Sequence, residues 1–119
     1  MNYQVFFSGR FDRDSGTKEI VRSYFGKSYD RFYNFLRAEL ENFDPRLAIT
    51  LGQHLYKKDL SPPGFNKGKR NAYRLIIAYF QFGEVLAPVV LYKKSNISTI
   101  SKQELMKVLE EIVAELQKP

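Results

Sequence analysis

Arg74 is the residue of this chain best placed to do chemistry. It interrupts an otherwise apolar run, Tyr73–Phe80, that reads as a strand. A guanidinium in such a place must be paired with a carboxylate or left open for an anion. Apart from Asp44, Asp59 is the only carboxylate between Glu41 and Glu84, and that scarcity favours an anion. Lys93 and Lys94 close the next apolar run, Val85–Lys93. A hairpin turning at Gly83-Glu84 sets this pair near Tyr73 and Arg74, and a loop carrying Lys67, Lys69 and Arg70 enters from the same end. Lys57 and Lys58 complete eight cations between residues 57 and 94, opposed only by Asp59 and Glu84. The resulting +6 equals the formal charge of the whole 119-residue chain, so the flanking segments cancel. Charge concentrated in this way attracts and orients a polyanion, and nucleic acid is the expected partner.

RNA carries its own nucleophile, the 2′-OH beside each scissile phosphate. Cleavage then needs the attacking and leaving oxygens held in line, and cations for the charge that develops. Neither a metal nor a histidine is required. A lysine among other cations can have a lowered pKa and accept the proton. Tyr92, Tyr73 and Tyr79 are candidates for base stacking or proton transfer, although packing is the plainer role for each. Several other chemistries are excluded. The chain has no cysteine, hence no disulfide, thiolate nucleophile or Cys-based zinc site. Its one histidine, His54, rules against His-cluster metals and a Ser-His-Asp triad, and reads as a structural or surface residue. Lys67-Gly68-Lys69-Arg70 lacks the glycine spacing of a phosphate-cradling loop, and no zinc finger or basic zipper is evident. No cofactor is expected.

The elements that must position these residues suit one α+β domain over residues 1–119. Eight Tyr and ten Phe supply enough packing area for a core without staples. Tyr3, Val5 and Phe7 alternate with Asn2, Gln4 and Phe6 as a first strand, stopped by Ser8-Gly9. Asp14-Ser15-Gly16-Thr17 reads as a turn, with two helical stretches to follow. Tyr29, Phe32, Tyr33, Leu36, Leu40 and Phe43 form one apolar stripe at helical spacing, and Asp44-Pro45 ends it. Residues 46–60 carry two signals, with Leu47, Ile49 and Leu51 alternating, as do Leu55 and Lys57; they read as a connection and then a strand around His54–Leu60. Ser61-Pro62-Pro63-Gly64 begins a loop that continues through Asn71. The strands Tyr73–Phe80 and Val85–Lys93 are apolar on both faces, which requires a sheet covered on both sides. Pro88 cannot donate to a ladder, so it predicts a bulge or an edge position. Ser101-Lys102-Gln103-Glu104 is a capping box. Behind it Leu105, Val108, Leu109, Ile112, Val113 and Leu116 form the stripe of an amphipathic helix lying on the sheet or on a partner. No apolar run reaches membrane-spanning length and no signal layout opens the chain, so a soluble cytoplasmic protein is expected.

The run from Lys67 to Phe80 resembles the "K-G-K-R-G-G-x-R-I-I-Y-Y-F" segment of HigB-like toxins in the RelE/ParE superfamily of toxin–antitoxin systems. Val89–Asn96 is similar to their "L-L-x-x-Y-x-K-x-x" strand end, Ile100–Leu105 to their "L-S-x-x-E" helix start, and His54–Leu60 to their "G-L-R-K-I-R" strand. The match covers residues 54–116; upstream only the layout agrees. The resemblance implies a RelE-like fold: an N-terminal strand and helices, a twisted, mainly antiparallel sheet, and a C-terminal helix. It implies a metal-independent endoribonuclease acting on mRNA at the ribosome and neutralised by a cognate antitoxin. By position, Arg74 takes the role of the strand arginine at the scissile phosphate. Lys93 and Lys94 stand in or beside the late cationic position, with Tyr92 before it, all three being candidate catalytic residues, while Lys57 and Lys58 match an Arg-Lys pair. Lys67, Lys69 and Arg70 would bind RNA. Asn71-Ala72 replaces Gly-Gly and Ile77-Ala78 replaces Tyr-Tyr. Those departures, with Asp59, motivate a second reading: a gyrase-directed toxin, or a member that binds RNA or a partner without cleaving.

Overall fold

In the computed structural model of the chain, the residues described are 3–13, 15–52, 54–62, 73–93 and 101–118. The elements run β1 (Gln4–Val5), α1 (Gly9–Asp12), α2 (Ser15–Tyr24), α3 (Tyr29–Glu41), β2 (Ile49–Gly52), β3 (Leu55–Leu60), β4 (Tyr73–Phe80), β5 (Val85–Lys93) and α4 (Lys102–Leu116). The strands form one sheet in the order β1-β5-β4-β3-β2. Only β1 and β5 are parallel; the other neighbours are antiparallel. The class is α+β, as the pattern implied.

Helix starts and apolar spacing explain most of the elements. Ser28 caps α3 by accepting from the Arg31 N–H at 3.3 Å, and Ser101 caps α4 by accepting from the Glu104 N–H at 3.1 Å. Phe32, Leu36 and Leu40 form the buried face of α3. Tyr73–Phe80 and Val85–Lys93 become strands with the expected bounds. Gly83 adopts φ 76°, a left-handed conformation that glycine reaches at no steric cost, in the short turn between them.

Each face of the sheet has its own core. Successive residues of a strand point to opposite sides. Leu60, Tyr73, Leu75, Ile77, Leu86 and Leu91 pack with Ile20, Val21, Phe32, Leu36 and Leu40 on the α2–α3 face. Leu55, Ile76, Ala78, Ala87 and Val89 pack with Val108 and Ile112 on the α4 face. Burying a side chain such as Ile112 contributes about 1.5–3 kcal/mol. The far end of α4 is fixed to α1: the Gly9 N–H donates to Glu115 Oε1 at 3.0 Å, and Arg10 meets Glu111 at 3.4 Å.

Four local expectations change. β1 is two residues long, with one further bond from the Phe6 N–H to the Leu86 carbonyl at 2.9 Å. Ser8 does more than stop it, because its Oγ caps α1 by accepting from the Phe11 N–H at 3.1 Å. Residues 15–17 are the first turn of α2 rather than a turn between elements, and Asp14 lies outside the described residues. Buried Ile20 and Val21 anchor that helix, and such packing overrides the weak helix propensity of Ser-Gly-Thr. Residues 49–52 are a strand, although all four are exposed: β2 is held by its hairpin with β3 and not by burial.

Pro88 sits beside a bulge. Ile76 opposes Val90 and Ile77 opposes Pro88, so Val89 is the extra residue. Pro88 also lies past the reach of β1, which pairs only with Val85 and Leu86. His54 is an exposed residue of the β2–β3 turn at φ 65°.

Candidate nucleic-acid interface

Strand alternation decides which of the basic residues meet. Asp59 opposes Arg74, and Arg74 opposes Tyr92, so the three make one row across β3, β4 and β5. That row lies on the α4 face, because Ile76, two residues from Arg74, belongs to the α4 core. Lys57, opposite Ile76, points to the same side. Lys58 opposes Leu75 and Lys93 opposes Tyr73, which places both on the α2–α3 face. Arg74, Tyr92 and Lys57 therefore share one face, and Lys93 is turned away from them; Lys58 starts from the other face but lines one open groove together with Lys57 and Arg74. Lys67, Lys69, Arg70 and Lys94 lie outside the described residues.

Arg74 has a carboxylate. Its Nε donates to Asp59 Oδ1 at 3.3 Å, with 26% of the arginine side chain and 53% of the aspartate side chain exposed. The expectation of a guanidinium left open for an anion is corrected: scarcity along the chain hid an acid that the register sets directly across the strand. The pair is nonetheless weak, since ion pairs this exposed contribute about 0–1 kcal/mol. The contact runs through Nε, and a phosphate approaching the other guanidinium nitrogens can compete with it through charge-assisted hydrogen bonds.

An open groove of about 420 Å³ lies beside this row, lined by Lys57, Lys58, Asp59 and Arg74 with Asn42, Phe43, Asp44, Ala48 and Ile49. It exists because β2 starts at Ile49, opposite Lys57, so that β2 does not cover the β3 edge beyond that point. Asp44 is held at its rim. It accepts from Arg46 Nε and Nη2, each at 3.0 Å, and those bonds lower its carboxyl pKa. The charge pattern is thus three lining cations against two carboxylates. In the sequence Asp44 reads as a helix stop and one of the few carboxylates near the cations, and the signal for its place at the rim is the arginine two residues on.

Lys93 is fixed differently. Its Nζ lies 2.6 Å from Glu19 Oε1 of α2. That hydrogen bond raises the lysine pKa, opposite in direction to the lowering expected of a proton acceptor among cations. Lys93 is a held cation. Tyr73 is only 2% exposed, packs edge-on to Tyr24 at 6.1 Å, and has its hydroxyl pushed up to about 12 by burial. Tyr79 packs edge-on to Tyr3 at 5.7 Å. Both are core residues. Tyr92, half-buried and beside Arg74, is the tyrosine of the three that shares the cation face. Among the described residues, no group of three or more His, Asp or Glu side chains is gathered to hold a metal ion, and no helix is long and apolar enough to cross a membrane.

Fold and site together define an α+β protein with one mixed sheet and, at one sheet end, an Arg74–Asp59 pair flanked by Tyr92 and by Lys57 on the same face. Neither a family model nor a curated protein matches the chain. Among solved structures it is similar to the free-state structure of an E. coli toxin RelE mutant in which two arginines are replaced by alanine, with 15% identity and a TM-score of 0.48 over 98% of this chain and 99% of that one.

Proposed function

We propose that the protein is a RelE/HigB-like toxin that binds mRNA, in association with the ribosome in the cytoplasm, and cleaves it by attack of the 2′-OH. A cognate antitoxin would neutralise it. The observation that carries the reading is the Asp59–Arg74–Tyr92 row, with Lys57 on the same face, within a stretch of sequence, residues 57–94, that carries a net +6. Arg74 would neutralise the scissile phosphate and the charge that grows on it. Lys57 would hold a neighbouring phosphate. Tyr92 is positioned to stack on a base or assist proton transfer. Lys58 would contact RNA from the groove it shares with Lys57 and Arg74, and Lys93 from the other face of the sheet, as a cation held by Glu19. The motif resemblance over residues 54–116 supports the same assignment.

A second reading, binding without cleavage, is favoured by one specific observation: Arg74 and Lys93 are both engaged by carboxylates. Inducible expression of wild type beside Arg74→Ala, with primer extension across an abundant mRNA, separates the two. Growth arrest with new mRNA ends, both lost in the variant, is the expected result. Arrest without new ends would move the activity to binding or to gyrase, and absence of arrest at equal soluble expression would remove the toxin reading.

A further inference from the structure

A second basic groove lies away from the Arg74 row, on the helical side of the molecule. It is an open trough of about 460 Å³ lined by Lys18, Val21, Arg22, Lys27 and Tyr29. Lys18 and Arg22 are one helical turn apart on α2, neighbours on its surface. Like charges at that spacing repel, so the arrangement destabilises α2 slightly unless an anion lies between them. Lys27 adds a third cation from the α2–α3 turn, where it holds the left-handed φ of 69°. Among the described residues, none of these three cations forms a salt bridge. The nearest acids do not cancel them all. Glu19 is engaged by Lys93, and Asp30, in the first turn of α3, is a single charge.

Tyr29 gives the groove its chemical character. It is 42% exposed and lies nearly parallel to Tyr33, with ring centroids 6.4 Å apart and planes 28° from each other. Tyr33 is itself anchored by its hydroxyl, which donates to Asp12. An exposed ring backed by a fixed ring is a stacking platform, and three free cations beside it suit a phosphodiester. An acidic peptide would satisfy the cations but would gain little from a flat aromatic face.

We infer that Lys18, Arg22, Lys27 and Tyr29 form a second binding subsite for single-stranded RNA, holding phosphates on the cations and an unpaired base on Tyr29. The inference rests on the RNA reading proposed above and extends it to a surface that residues 57–94 do not include. The Lys93–Glu19 bridge joins the two regions, since Glu19 stands beside Lys18 and three residues before Arg22 on the same helix.

The test is fluorescence anisotropy of the full chain with a labelled single-stranded RNA dodecamer, titrated with salt, with circular dichroism melts to confirm that each variant folds. The triple variant Lys18→Gln/Arg22→Gln/Lys27→Gln should weaken binding and make the slope of log K against log salt shallower by about 2. Tyr29→Ala should weaken single-strand binding roughly 5- to 150-fold and leave that slope unchanged. It should not affect a blunt duplex of the same sequence. Arg74→Ala and Lys57→Gln are measured in parallel. If they weaken binding and the groove variants do not, the second subsite is wrong and the RNA reading stands. If wild type itself does not bind the RNA, the RNA reading fails, and the subsite with it. A loss in the triple variant with no effect of Tyr29→Ala, together with equal competition by poly-glutamate, would overturn RNA in favour of an acidic protein.

Discussion

The two faces of the β4–β5 end are built from adjacent residues and have opposite characters. On the α2–α3 face, Tyr73 and Leu75 are sealed into an aromatic core and Lys93 is fastened to a helix by Glu19. On the α4 face one residue away, Arg74 and Tyr92 are only half-buried, and the partner of Arg74 is a mostly exposed aspartate on a neighbouring strand. The difference teaches that a cation's neighbours in the chain say little about its availability. What counts is which side of the pleat it occupies and what covers that side.

The largest test of this contrast is in the cores. Phe32→Ala, beneath the α2–α3 face, should lower the unfolding free energy by about 3–5 kcal/mol. Val108→Ala, which truncates an 8%-exposed residue of α4, should lower it by about 2 kcal/mol. Urea denaturation measures both, and a loss under about 1 kcal/mol for Phe32→Ala would mean that this side chain is not held in a tight core. A finer test compares the two carboxylates. Asp59→Asn should free Arg74 and raise RNA affinity by up to about 5-fold, the equivalent of roughly 1 kcal/mol. Glu19→Gln should change affinity less, because Lys93 keeps its charge and its place on the covered face. A larger gain from Glu19→Gln than from Asp59→Asn would reverse the assignment of the binding face.

The smallest effects are pH-dependent, and they separate the pairs by sign. The Lys93 pKa is raised in the folded chain, so its bridge to Glu19 stabilises below the ordinary lysine pKa of 10.5 and loses that effect as pH rises through the folded value. Wild type and Glu19→Gln should differ in stability by less than about 1 kcal/mol at pH 7 and converge in strong alkali. Asp44 is the opposite case. Its pKa is depressed by Arg46, so its contribution is present above the ordinary aspartate value of 3.8 and lost as pH falls through the folded one. Thermal melts of wild type and Asp44→Asn should differ at pH 7 and draw together in acid.

Much of the fold was legible in the sequence because its signals are local. The Ser101 capping box, the stripe of α3 and the two-sided apolar runs of β4 and β5 follow from backbone hydrogen bonding and side-chain periodicity within a few residues. The bulge followed from proline's missing donor. The start of α2 and edge strand β2 were not legible. Ser15–Thr17 has turn chemistry, and its helix is set by the distant core around Ile20 and Val21. Ile49–Gly52 has no burial, and its pairing partner is what makes it a strand.

By itself the sequence determined the α+β class, the strand carrying Arg74 and the concentration of +6 charge in one third of the chain, since composition and short-range periodicity carry that information. Tertiary structure decided the rest of the site. Cross-strand register set Asp59 against Arg74 and put Tyr92 beside it, and the pleat divided Lys57 from Lys58 and Arg74 from Lys93. Helix packing brought Glu19 to Lys93. These are long-range pairings that depend on register and on which face each element covers, and a one-residue slip in register would reverse every side of the sheet.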